Sequence, residues 1–304
     1  MSQMELPELP EVTALDITFT NDDCEVITAR TEHLRVALSS NIDDVSPDLI
    51  KEYVFVVIPG NPGIVSFYRR FAVELLRAFV ARLNDSNDTP YRVTVLGYGH
   101  AGHTKQENCD SVMYNLRDQV RHKVAILDAV RHEFPQARLA LLGHSVGAYI
   151  NNCARIESPQ QIEHMGYLFP TFINLEVQPA VRALQWPLLR EFTSFALSLV
   201  PTSLAHRIAG WLSSSDLEAN EARMTLDYAH RHFLRNALNM VRVHILFSLP
   251  VVDSAGGIGP SRMRLATSTT FNTSICSHFE SMQATRPLCS LRSTSTCRLK
   301  SLEH

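Results

Sequence analysis

Ser145 is the residue of this 304-residue chain whose neighbours best suit a nucleophile. It stands in GHSVG, with Gly143 two residues before it and Gly147 two residues after. This G-x-S-x-G spacing fits a serine on a sharp, strained strand-to-helix turn, where small flanking residues let strand and helix approach. The chemistry would be acyl transfer, in which the serine oxygen attacks a carbonyl carbon. The oxyanion that forms then needs two backbone N–H groups aimed at it. Val146, directly after the serine at the start of a helix, would offer one. Asn61, in the turn-forming cluster PGNPG, would offer the other, because Pro62 has no N–H to give.

These residues need a frame, and the hydropathy pattern predicts one. The stretches VTALDITF and CEVITARTEHLRVAL, within residues 10–50, alternate as antiparallel strands do. YVFVVIPG (53–60) is a continuous β-branched and aromatic run, expected of a strand covered on both faces. A helix follows it, with Phe67, Phe71, Leu75 and Leu76 at helical spacing. The unit then repeats: YRVTVLGY as strand, GHAGHT as loop, an amphipathic helix carrying Val120, Val124, Leu127 and Val130, and ARLALLGHS as the next buried strand. Alternation of this kind means crossover connections and a mostly parallel sheet flanked by helices. Ligands of such an α/β fold bind beyond the carboxyl ends of the strands.

The chain divides into residues 1–170 as the first part of this sheet domain, 171–240 as a helical cap insertion, 241–253 with a further core strand over VHILFSLP (243–250), and an atypical tail. The cap contains WPLLREFTSFALSLVPTSLAHRIAGWL, which is markedly apolar and broken by Pro201. Arg190, Glu191, His206 and Arg207 interrupt it, so no transmembrane span of about 20 apolar residues is expected. Two readings stand for its apolar side: it packs on the sheet domain, or it dips into a lipid surface. The tail, 254–304, is one third serine and threonine, has Glu280 and Glu303 as its acids, and shows no sustained periodicity. Such a composition is expected to be poorly ordered.

A formal charge of −3 and the lack of a basic stripe exclude nucleic-acid binding, whose dominant electrostatic contribution would be missing. MSQMELPELPEV lacks the basic patch and apolar core of a secretory signal, so synthesis in the cytosol is expected. The six cysteines (Cys24, Cys109, Cys153, Cys276, Cys289, Cys297) show no CxxC pairing and are expected to be reduced thiols.

Taken together, VVIPGNPG followed by FY, then HAGH, LLGHSVGAY and YLFPT resemble the lipid-droplet-associated hydrolases, a branch of the α/β-hydrolase superfamily, over about residues 50 to 240. The resemblance implies an α/β-hydrolase fold, Ser145 as nucleophile, attachment to lipid droplets or the endoplasmic reticulum surface, and activity on neutral lipid esters such as sterol esters. No cofactor is implied. His100 and His103 lack a convergent ligand set, so no metal is assigned to them; they are expected to line the pocket or hydrogen-bond locally. His144 is expected to pack at the turn, since neighbouring residues there point in different directions.

Hydrolases of this fold supply acid and base after the serine, in the order Ser, Asp, His. The family's strand-end G-x-x-D and its P-H-x-F-like segment do not stand in this sequence, which leaves the family pattern near residue 241. On order alone, Asp253 and His278 take their places. Three functions therefore stay open: a droplet-bound serine hydrolase, a catalytically silent droplet-surface protein that affects lipid storage, and an esterase of small soluble esters. A tail produced by a shifted reading frame or retained intron would account for the missing motifs.

Overall fold

The computed structural model describes residues 7–248 except 22, 41, 43–44, 87–88, 106–111, 159–161, 172–185, 202, 205, 208–222 and 229. Six strands form one sheet: β1 (Val12–Thr20), β2 (Val26–Ser39), β3 (Lys51–Ile58), β4 (Tyr91–Tyr98), β5 (Arg138–His144) and β6 (His164–Leu168), in the order β1-β2-β4-β3-β5-β6. β1 and β2 join as antiparallel strands, and β4, β3, β5 and β6 are parallel. Strand β3, the continuous apolar run, lies between β4 and β5.

Two-residue alternation along β3 sends its side chains into two cores. Phe55 and Val57 pack with Ala72, Leu76 and Val80 of α1 (Arg69–Ser86). Val54, Val56 and Ile58 pack with Ile126, Leu127 and Val130 of α2 (Leu116–Glu133) and Ala154 of α3 (Val146–Glu157). A capping box starts α2: the Asn115 side chain accepts from the Asp118 N–H at 3.0 Å, and the Asp118 carboxylate accepts from the Asn115 N–H at 2.8 Å.

By contact the chain divides into Met1–Pro260 and Ser261–His304, and the second unit lies wholly outside the described residues. In the cap region the described helices include α4 (Pro187–Ser198) and α5 (Arg231–Ser248). The strand expected over 243–250 is therefore corrected: through Ser248 the run continues helix α5. A short apolar run has no periodicity of its own to separate strand from helix. No glycine or proline breaks the chain between Arg231 and Ser248.

Helix α4 packs on α5. Arg235 pairs with Glu191 at 3.1 Å, and the Arg231 guanidinium lies 5.8 Å from the Phe195 ring centre. Trp186, Leu188 and Phe192 are left 73%, 87% and 68% exposed. No helix among the described residues is long and apolar enough to cross a membrane.

Candidate active site

Ser145 lies between the last residue of β5 and the first of α3, with φ 51° and ψ −121°. That backbone region disfavours any residue with a Cβ, and such strain persists only where the surroundings enforce it. Here two glycines enforce it. A Cβ on Gly143 would lie 2.6 Å from the Ala148 Cα, and one on Gly147 would lie 2.4 Å from the Pro59 carbonyl oxygen. Main-chain bonds complete the hold: the Ser145 N–H donates to the Leu168 carbonyl at 3.0 Å, and the Thr171 N–H donates to the Ser145 carbonyl at 3.2 Å. The Ser145 hydroxyl pairs with the Thr171 hydroxyl at 3.1 Å.

The PGNPG loop presses against this turn. A Cβ on Gly60 would come within 3.0 Å of the Ser145 Cβ and 2.9 Å of the His144 Nδ1. The Gly60 N–H donates to the Tyr68 hydroxyl oxygen at 3.2 Å, and that hydroxyl pairs with His144 Nδ1 at 2.8 Å. Burial pushes the Tyr68 phenol up to about 12, with the Gly60 N–H partly offsetting it. The phenol therefore stays protonated and free to donate to His144, whose Nδ1 is occupied by that bond. Burial also lowers the His144 pKa. Asn61 is tied through its side chain, whose Nδ2 donates to the Ala237 carbonyl of α5 at 2.8 Å.

Below the loop lies a buried set of basic groups. His100, His103, His122 and Lys123 are enclosed. The His103 Nδ1 accepts the Gly63 N–H at 2.9 Å. The Lys123 amine donates to the Gly99 carbonyl at 2.7 Å and pairs with His122 Nδ1 at 2.8 Å, while His122 Nε2 pairs with the Thr31 hydroxyl at 2.7 Å. Desolvation is the first cause in each case: it lowers His100, His122 and Lys123 well below their ordinary values and pushes His103 down to about 3. Among the described residues no group of three or more His, Cys, Asp or Glu is arranged to hold a metal.

This burial predicts a pH dependence of stability. The three histidines are neutral in the fold but take up protons near pH 6.5 when unfolded, so their contribution is full above that value and falls as pH drops through it, while Lys123, lowered by the same burial, adds a loss of the same sign that begins near pH 10.5. Each histidine contributes a slope of up to about 1.4 kcal/mol per pH unit, giving about 4 kcal/mol between pH 6 and pH 5. Glu32, raised chiefly by burial and bonded to the Tyr228 hydroxyl at 2.5 Å, works in the opposite direction for one proton. Urea midpoints at pH 7, 6 and 5 read the result; a flat profile would contradict neutral buried histidines.

A profile of the lipid-droplet-associated hydrolase family matches residues 51–245. The chain belongs to the lipid-droplet-associated hydrolase family. The Dictyostelium discoideum lipid droplet-associated hydrolase is 28% identical over 187 residues, covering 57% of this chain and 57% of that protein. The Gallus gallus protein of the same name is 32% identical over 148 residues, covering 45% and 42%. The aligned chain thus spans about half the length of these curated relatives. Among solved structures, the peroxisomal α/β-hydrolase Lpx1 of Saccharomyces cerevisiae is similar with a TM-score of 0.50 at 12% identity, covering 77% of this chain and 68% of that one. An α/β-hydrolase fold protein from Burkholderia ambifaria scores 0.48 at 16% identity, covering 81% and 76%. The fold is that of the α/β-hydrolases.

Of the residues expected at the site, the structure brings together Gly143, Ser145, Val146 and Gly147 with the Asn61 loop. Asp253 and His278 lie outside the described residues. Thr171 and Tyr68 join the site beside these residues, each from a stretch that carries the family resemblance, YLFPT and FY.

Proposed function

We propose that this chain is a serine hydrolase of neutral lipid esters, sterol esters among them, working from the cytoplasmic side at a lipid-droplet or endoplasmic reticulum surface. The backbone of Ser145 carries the reading: a non-glycine residue at φ 51°, held between Gly143 and Gly147 with its hydroxyl at the turn. Nothing in the packing of a plain strand-to-helix turn asks for that strain.

In the reaction, the Ser145 oxygen attacks the acyl carbon and its proton passes to an imidazole base. The Val146 and Asn61 N–H groups hold the oxyanion. Collapse breaks the ester C–O bond, the base returns the proton to the departing alcohol, and water then cleaves the acyl-enzyme by the same route. On chain order, His278 is the base and Asp253 the acid that orients it. The exposed apolar residues of α4 and its flanks, Trp186, Leu188 and Phe192, face the lipid.

One observation favours the silent droplet-surface alternative. Among the described residues the Ser145 hydroxyl pairs with Thr171 and with no histidine, and the Nδ1 of its neighbour His144 is held by Tyr68. Removing a base from such a site leaves catalysis of only about 10³ to 10⁴ over water.

Hydrolysis of one long-chain ester, as an emulsion and as dispersed monomers, separates the readings. Wild type is expected to prefer the emulsion. The double substitution Leu188→Ser/Phe192→Ser removes about 3 kcal/mol of lipid burial, roughly 100-fold in partitioning, and leaves the monomer rate alone. Wild-type rates equal to a Ser145→Ala background in both forms would overturn the hydrolase; preference for monomers would point to the soluble esterase.

A further inference from the structure

The GHAGH segment has no part in the reaction as described, yet its side chains are buried against the loop that carries Asn61. We propose that His103 is a positioning residue for this loop: its imidazole accepts the Gly63 N–H and thereby aims the Asn61 N–H at the oxyanion. The inference rests on Ser145 being the nucleophile.

The loop offers few N–H groups, and their partners sort them. Gly60 donates to Tyr68, Pro62 has none, and Gly63 donates to His103 at 2.9 Å. The Asn61 N–H has no acceptor among the described residues, while its side chain is drawn to the Ala237 carbonyl at 2.8 Å. The loop is thus tied on both sides of the one donor left over. Pro62, whose ring fixes φ, joins the Asn61 and Gly63 peptides and couples their orientations, so the bond that holds the Gly63 N–H also constrains that of Asn61.

The contacts leave the loop little room to settle elsewhere. A Cβ on Gly63 would lie 2.4 Å from the His100 Cδ2, and one on Gly99 would lie 3.0 Å from the Gly63 carbonyl oxygen. The His103 ring stands edge-on to His100 and packs on Phe233 of α5, each at 5.4 Å between ring centres. Because Gly63 donates, His103 Nδ1 carries no proton, and the neutral ring holds its proton on Nε2. Burial keeps it neutral down to about pH 3, so the tie survives across the range in which a histidine base would titrate.

The test is phosphonylation of Ser145 by a fluorophosphonate probe in the full chain, since the tetrahedral phosphorus places an oxygen where the oxyanion forms. His103→Leu removes the acceptor at similar size and is expected to lower the second-order rate by about 10- to 100-fold, with KM for an ester changed by less than about twofold. His103→Asn puts Oδ1 where Nδ1 stood and is expected to return the rate to within about threefold of wild type. A folded His103→Leu protein that reacts as wild type would overturn the inference, as would a His103→Asn protein that loses as much as His103→Leu. Should His103→Leu fail to fold, the ¹⁵N shifts of His103 decide: an Nε2-protonated ring coupled to the Gly63 amide supports the tie, and an Nδ1-protonated ring overturns it. A wild-type chain that takes no label at Ser145 fails the nucleophile reading itself, and this inference with it.

Discussion

Ser145→Ala and Ser145→Gly are both expected to lose ester hydrolysis and fluorophosphonate labelling to background, a fall of at least about 10⁴-fold if the base is in place. They are expected to part in stability. Alanine keeps a Cβ at φ 51° and ψ −121°, so it keeps the strain; glycine adopts that conformation freely. Strain of this kind is of order 1 to 3 kcal/mol, against roughly 0.5 to 1 kcal/mol for the extra chain entropy of glycine. Ser145→Gly should therefore be about 1 to 2 kcal/mol more stable than Ser145→Ala. Both lack the bond to Thr171, which cancels in the comparison. At an unstrained helix start the order would be reversed or flat. Urea denaturation of the pair measures it, and alanine as the more stable variant would remove the strained-turn argument even if labelling were lost.

That strain is legible in GHSVG alone, because the pattern specifies its own steric cause. The parallel core was legible from context: β3 and β5 are short apolar runs that each stop at a glycine-containing turn and alternate with amphipathic helices, the setting of a doubly covered strand. Residues 243–248 were not legible, since their helix is defined by continuity with Arg231 and not by local pattern. The buried histidines were hidden more deeply. A loop reading GHAGHT has the composition of a solvated turn, and its burial comes from distant elements, among them α5, which brings Phe233 onto His103 from 130 residues away, and the Gly63 loop against His100. The same holds for Tyr228, which reaches Glu32 across 196 residues, and for Thr171, which meets Ser145 only because β6 ends beside β5. Motif spacing reports backbone demands within a few residues. Polar partners are chosen by topology.

Gly147→Ala places two general rules in opposition, and the magnitudes decide between them. Helix propensity favours alanine over glycine by about 1 kcal/mol inside a helix, and Gly147 is the second residue of α3. The added Cβ would stand 2.4 Å from the Pro59 carbonyl oxygen and 2.5 Å from that of Ile58. Both are main-chain atoms, one on Ile58, which ends β3 and pairs with Gly143 of β5, the other on Pro59 directly after it, so withdrawal pulls on the β3–β5 ladder. Relief requires the helix to lift from the sheet, and overpacking of this kind costs typically 1 to 3 kcal/mol, more where backbone must move. We expect a net loss of about 2 to 4 kcal/mol, read as a lower urea midpoint with an unchanged m-value. Function should fall further than stability. Pro59 and Gly60 lead directly into Asn61, so lifting α3 separates the Val146 N–H from the Asn61 N–H while moving Ser145. Under conditions where the variant is fully folded, its phosphonylation rate should be at least about 100-fold below wild type, the scale of losing one oxyanion donor. A folded Gly147→Ala protein with wild-type labelling would mean that the contact between α3 and the β3 end does not set the site.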